Sequence, residues 1–328
     1  MSIPRQFHRR LALPVIAAPM FLVSGPELVV AQCKAGIIGS FPSLNARPEA
    51  ELQVWLDQIK AELAAHDAAH PDRPAAPYAV NLIANKTNTR LEHDAQVCVD
   101  NKVPLLLTSI SPPGDLVKAA HSYGGLVFHD VTTRRHAEKA IEQGVDGLVL
   151  VAAGAGGHAG TANPFALYAE VRRIFDGPIV LAGALSTGGA IHAALSLGAD
   201  MVYMGTRFIA AAESRAPQDY RQMILDGALK DVVYTPYFSG LPANYLAQSI
   251  LAAGLDLDEV ATASRDKDRY QATGRPKAWK DIRGAGQGIG LIDKVQPVAE
   301  ITAQLAQEWQ EAEKASDAAR QARGIWLR

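Results

Sequence analysis

The chain has 328 residues, 48% of them hydrophobic, and a formal net charge of −2, which is enough for one large or two modest domains with a full core. Near-neutral charge argues against nucleic acid or an anionic membrane as the main partner, and no apolar run approaches the length of a membrane span. Basic residues precede an apolar patch at the N-terminus, but Pro14 interrupts that patch and Pro19 ends it, so the segment reads as a first strand and not as an export signal. Cys33 and Cys98 lie in helical patterns with no CxxC or Cys/His spacing. They read as small core residues in a reducing, cytoplasmic compartment, neither a disulfide nor a zinc site.

Short apolar runs then alternate with amphipathic segments. A strand at 14–20 leads to a helix at 26–35, with Pro26 at its start and Gly36 just past its end. A strand at 37–41 precedes a long helix at 48–66, where Leu52, Trp55, Leu56, Ile59 and Leu63 recur at helical spacing. The pattern repeats as strand 78–83 and helix 89–101, strand 104–109 and helix 114–123, strand 125–131 and helix 134–143. It continues through strand 147–153 and helix 164–175, strand 178–185 and helix 187–197, strand 201–208 and helix 217–225. Eight strand–helix units in succession demand parallel strands with helical crossovers. Their compact spacing fits an α/β fold of the (β/α)8 TIM-barrel type better than a doubly wound open sheet.

The barrel is expected over residues 1–228, and an appended, mainly helical C-terminal cap that contributes to the substrate pocket over 229–328. The cap carries Tyr234, Tyr237, Phe238 and Tyr245, a basic stretch at 274–280 with Trp279, the run RGAGQGIG at 283–290, and a charged helix at 299–320.

In such a barrel the active site lies at the C-terminal ends of the strands. Those ends supply Ala18, Pro19, Met20, Asn81, Ser109, His129, Asp130, Gly183, Ala184, Gly205 and Thr206. After the strand at 147–153, Gly154, Ala155, Gly156 and Gly157 remove nearly all side-chain volume, so something flat or anionic can approach the backbone. His158 is the first titratable group beyond them, although this stretch alone also reads as a flexible glycine loop. Gly183-Ala184 and Gly205-Thr206 fall where this architecture holds phosphate, and Ser186, Thr187, Gly188 and Gly189 would aim helix N–H donors at the same anion. Ordinary barrel packing is the other reading of Gly183 and Gly205. No GK[ST] follows, which argues against a nucleoside triphosphate. Asn85, Lys86, Thr87, Asn88 and Arg90 form a polar loop that either reaches the site or is solvated. His129 is balanced between support and direct contact. No cluster has metal-ligand spacing, so no catalytic metal is expected.

The ordered set PVIAAPM, YAVNL, AGAGGHAG, IVLAGALSTGG and LGADMVYMGTRF at these strand ends resembles the nitronate monooxygenase family, which also includes NADH:quinone reductases and flavin-dependent enoyl-ACP reductases. The tail's AGQG fits as well. The resemblance implies an FMN-dependent TIM barrel with a smaller helical cap. It implies that Ala18, Pro19 and Met20 line the flavin ring and that Asn81 bonds its polar edge. Gly156 and Gly157 would give close backbone contacts, and Gly183, Ala184, Gly205 and Thr206 would bind the phosphate. His158 takes the position of the catalytic histidine, with Ser109, His129 and Gln287 on the substrate side. The implied activity is oxidation of alkyl nitronates (nitroalkanes) with dioxygen, with NAD(P)H-dependent reduction of quinones or enoyl thioesters as the alternative. A homodimer is compatible with either.

Three positions depart from the family pattern. Asp130 stands where a lysine is common, Gly154 where the family has a glutamate, and Ala184 where the family has a second glycine. A cation at 130 would stabilise the reduced flavin anion; an aspartate opposes that charge or binds another group. His158 could hold a nitronate as a cation or deprotonate a nitroalkane as a base. Outside this class, the same strand ends would suit a barrel isomerase or lyase with a phosphorylated substrate, which would be colourless, or a non-catalytic scaffold.

Overall fold

A computed structural model describes residues 2–85, 87–262 and 276–323. Lys86 of the polar loop and the first two residues of the basic stretch at 274–280 lie outside them. In chain order the elements are β1 (Val15–Ala17), α1 (Pro26–Lys34), β2 (Gly39–Pro42), α2 (Glu51–Ala69), β3 (Tyr78–Ile83), α3 (Leu91–Asp100), β4 (Leu105–Ser109) and α4 (Asp115–His121). Next come β5 (Leu126–Val131), α5 (Arg134–Glu142), β6 (Gly147–Val151), β7 (Gly157–His158), α6 (Pro164–Arg172), β8 (Ile179–Ala182), α7 (Gly188–Leu197), β9 (Met201–Met204), α8 (Thr206–Ile209) and α9 (Gln218–Asp226). The extension adds β10 (Val232–Thr235), β11 (Ala243–Leu246), α10 (Ala247–Ala252), α11 (Leu257–Ala261) and α12 (Val298–Arg323).

Eight strands form one parallel sheet in the order β1-β9-β8-β6-β5-β4-β3-β2. Its two edges meet: Ala17 N–H donates to Ile38 O at 2.8 Å and Ile38 N–H to Val15 O at 3.0 Å, so the sheet closes into a barrel. The strands are apolar on both faces because both are buried, and the pleat sorts them into two cores. Ile16, Ile38, Ala79, Leu105, Leu107, Phe128, Val149, Val180 and Met201 fill the inside, with Phe7 against Phe128 at a centroid distance of 6.5 Å. Val15, Val80, Leu106, Val127, Leu148, Leu181 and Val202 face outward into the layer shared with the helices. Helix starts follow from side-chain caps: Thr133 accepts from His136 N–H, Asn163 from Phe165 N–H, and Thr187 from Ala190 N–H.

The extension contains two features that the sequence did not announce. β10 pairs with β11, and β11 pairs with the short β7, so the extension forms a three-stranded antiparallel sheet with a piece of the barrel's own loop. The long helix α12 packs along α7 and α1, and its Val298, Ile301 and Leu305 join the outer core. Gly188 permits that approach, since a Cβ there would overlap the Leu305 carbonyl oxygen and the Trp309 nitrogen. Among the described residues no helix is long and apolar enough to cross a membrane.

Candidate active site

Strand alternation decides which side chains reach the barrel mouth. Asn81 follows Ala79, Ser109 follows Leu107, Asp130 follows Phe128 and Tyr203 follows Met201, each two residues on and therefore on the inner face. Asn81 Nδ2 donates to Leu107 O at 3.0 Å and to Ser109 Oγ at 3.5 Å. Asp130 Oδ1 and Tyr203 OH are buried with no hydrogen-bond partner among the described residues. Burial pushes the Asp130 carboxyl up to about 7, and burial plus the Asp130 charge pushes the Tyr203 phenol well up. Two orphaned polar groups of this kind on the inner face call for a polar partner.

Around them runs a rim of small residues. Gly156 and Ala184 are exposed, and Ala18, Pro19, Met20, Gly157, Gly183 and Gly205 are half-buried. Gly154 has φ +85° and Ala184 φ +55°, a left-handed conformation that costs an L-residue about 1 kcal/mol. A Cβ on Gly154 would lie 3.2 Å from Ala184 Cβ and 2.9 Å from Gln287 Oε1. The two departures from the family pattern therefore occupy adjoining space: side-chain volume is absent at 154 where a methyl is present at 184. The tail closes on the same spot, with Gln287 N–H donating to Gly154 O at 2.9 Å and Gly286 N–H to Thr206 Oγ1 at 2.9 Å. Thr206 thus accepts from the tail and keeps its own proton to donate.

One expected anion contact is corrected. The N-terminus of α7 is already served, because Gly188 N–H donates to the Glu308 carboxylate of α12 at 2.7 Å and Ala190 N–H to Thr187 Oγ1 at 3.1 Å. A protein carboxylate occupies the place where a phosphate was expected, and Ala184 N–H is also committed, donating to Gly154 O at 3.2 Å, which leaves the shorter path past Gly183, Gly205 and Thr206.

His158 is held from three directions. Its backbone pairs with Ala243 of β11. Its Nε2 lies 2.9 Å from Ser239 Oγ. Its ring meets Trp279 edge-on, at 5.2 Å and 84°. Trp279 in turn packs on Tyr245 at 4.9 Å, Tyr245 on Phe238 at 5.0 Å and Phe238 on Tyr237 at 5.0 Å, and Tyr245 and Tyr237 are buried, so these rings belong to the extension's own core and Trp279 is its edge against the imidazole. Asn244 Nδ2 donates to Ala155 O at 2.6 Å and Tyr234 OH to Ala159 O at 2.9 Å, which ties the glycine loop to the same sheet. Burial pushes the His158 imidazole down to about 4, so at neutral pH the group is an uncharged proton acceptor.

His129 does not reach the site. It alternates with Phe128 and Asp130 and so points outward, where its Nδ1 lies 2.8 Å from Thr108 Oγ1 and where burial and His136 of α5 push it down to about 4. Its role is support. The polar loop also turns structural: Arg90 donates to Ala46 O at 2.7 Å and pairs with the buried Asp94 at 3.0 Å. Tyr203, Ser239 and Tyr245 were not singled out by the sequence as site residues. Tyr203 was within reach, because it lies two residues before Gly205 on one strand; Ser239 was not, because nothing local predicts that a turn of the extension meets residue 158.

The fold and this mouth put the chain among the (β/α)8-barrel enzymes. It belongs to the nitronate monooxygenase family, whose sequence model matches residues 6–308, and is an oxidoreductase of that family. A nitronate monooxygenase of Paraburkholderia phytofirmans is 27% identical, over 90% of this chain and 92% of that protein. A (3aS,4S,5R,7aS)-5-hydroxy-7a-methyl-1-oxo-octahydro-1H-indene-4-carboxyl-CoA dehydrogenase of Rhodococcus jostii is 25% identical, over 79% of this chain and 70% of that protein. The crystal structure of a nitroalkane oxidase from Streptomyces ansochromogenes shares the fold at a TM-score of 0.80, with 23% identity over 94% of this chain and 99% of that one.

Proposed function

We propose that the barrel mouth binds FMN and that the protein oxidises alkyl nitronates, or the nitroalkanes from which they form, with dioxygen. The observation that carries this reading is the imidazole of His158, met edge-on by Trp279 and set in a rim of exposed and half-buried glycine and alanine backbone. The residues present fit the cofactor. Ala18, Pro19 and Met20 offer a half-buried apolar wall, and Gly156 and Gly157 open backbone. Asp130 Oδ1 and Tyr203 OH, without a partner among the described residues, would meet the cofactor's polar edge, with Asn81 beside them on the inner face. Gly183, Gly205 and the Thr206 hydroxyl would hold the phosphate, with Ala184 bounding the path through its own bond to Gly154 O. FMN, when bound, supplies the acceptor for the substrate's electrons, which dioxygen then removes.

The protein's own part is orientation, desolvation and proton transfer. Trp279, edge-on to the His158 ring, excludes water from one side of the imidazole. His158 takes the Cα proton of a neutral nitroalkane on the lone pair of its neutral ring. Gln287, fastened to Gly154, closes the pocket, and Ser109 sits on its inner wall. We assign the barrel to residues 1–228, the extension to 229–328 and the compartment to the cytoplasm, where two free cysteines are at home.

A second reading has one observation in its favour. The Rhodococcus jostii relative, 25% identical, is named a carboxyl-CoA dehydrogenase. A thioester also acidifies its α-carbon, so the same base would serve. Anaerobic mixing of the FMN-loaded protein separates the readings. Bleaching by a nitronate and not by NAD(P)H or an acyl-CoA supports the first. Bleaching by an acyl-CoA alone supports the second, and bleaching by NAD(P)H points to a quinone or enoyl-thioester reductase.

A further inference from the structure

The loop that joins β10 to β11 bears on which nitrogen of His158 carries the proton. Ser239 lies in that loop, with its Oγ 2.9 Å from His158 Nε2. The same hydroxyl donates to Leu241 O at 3.0 Å and receives the Tyr245 hydroxyl at 3.4 Å. A serine hydroxyl has one proton and two lone pairs, and a carbonyl oxygen can only accept. With its proton committed to Leu241 and one lone pair met by Tyr245, Ser239 has only a lone pair left to offer His158. Nε2 must then be the protonated nitrogen, and Nδ1 holds the lone pair. Nδ1 has no protein partner among the described residues. The pairing of His158 with Ala243 fixes its backbone, and Trp279 closes one side of the ring, so the arrangement does not depend on the serine alone for its position.

We propose that Ser239 is a positioning residue for His158: by accepting the Nε2 proton it holds the imidazole in the tautomer whose Nδ1 receives the substrate's proton. The inference rests on the reading of His158 as the base, but the tautomer can be measured without turnover. The full-length protein is labelled with 15N histidine and the ring is read by long-range 1H–15N correlation, with the His158 signals identified by their loss in His158→Gln. The wild type is expected to show a protonated Nε2 and a bare Nδ1. Ser239→Ala should shift the tautomer ratio roughly two- to tenfold toward protonated Nδ1, the worth of one ordinary hydrogen bond. Ser239→Thr, which keeps the hydroxyl, should restore the wild-type ratio. Turnover should follow, with kcat lowered by a similar factor in Ser239→Ala, KM nearly unchanged, and recovery in Ser239→Thr. A protonated Nδ1 in the wild type, or a ratio unmoved by Ser239→Ala, overturns the proposal. Failure of the flavin reading looks different: a protein that takes up no FMN yet keeps the expected tautomer supports the Ser239 contact and refutes the cofactor.

Discussion

Asp130→Asn probes the inside of the barrel mouth more directly than any other change. Asp130 Oδ1 has no partner among the described residues, and burial alone lifts the carboxyl from 3.8 to about 7. Below pH 3.8 the side chain is neutral in both folded and unfolded chains and costs nothing. As pH rises from 3.8 to 7 the unfolded chain releases the proton while the folded one retains it, so stability is lost across that window and the loss is complete above 7. At about 1.4 kcal/mol per pKa unit the ceiling is roughly 4 kcal/mol. Because the residue is half-buried and not sealed, about 2 kcal/mol is the expected size. Asparagine has nearly the same shape and cannot ionise. Urea denaturation of the flavin-free protein should find the two chains equally stable near pH 4 and the variant ahead by about 2 kcal/mol at pH 8. His129 and His158, both pushed down, lower the stability of each chain as pH falls below 6.5 and so cancel from the difference. A gap that does not change with pH would mean that burial does not raise the carboxyl, and a variant weaker at pH 8 would mean that the carboxylate is ionised and paired.

Three further expectations follow from named contacts. His158→Ala should still bind FMN and lose about 10²- to 10⁴-fold in turnover, read by steady-state oxygen uptake; wild-type turnover would remove the base assignment. Gly154→Ala should lower the stability of the protein by about 1–3 kcal/mol, because φ is +85° and Ala184 Cβ is 3.2 Å away. Part of that loss should return in Gly154→Ala/Ala184→Gly, and strict additivity in the double-mutant cycle would mean that the two positions do not share space. Gly188→Ala should cost about 1–3 kcal/mol by forcing α12 away from α7; an unchanged melting temperature would contradict that packing.

The parts of the fold that repeat were legible. Strand after strand of branched apolar residues, each followed by an amphipathic helix, left little choice but a parallel barrel, and the strand ends that it implied include Asn81, Asp130 and Gly205, which do gather at one mouth. Strand ends alone, however, do not say which face a residue occupies. His129 and Asp130 are neighbours, and only the register shows that the second points in and the first out. The α7 N-terminus reads as an anion site from its own residues, because nothing nearby in sequence reveals that Glu308, 120 positions on, reaches it first. The small sheet of β7, β10 and β11 was invisible for a similar reason. Gly157 and His158 form a strand only because Ala243 and Asn244 lie opposite, and two residues carry no periodicity of their own.

The most direct test of the account is equilibrium binding of FMN to the purified, flavin-free chain, followed by quenching of flavin fluorescence and by co-elution on gel filtration. The account predicts saturation at one FMN per chain, with the flavin absorbance travelling with the protein. A folded protein from which FMN elutes entirely free would contradict it.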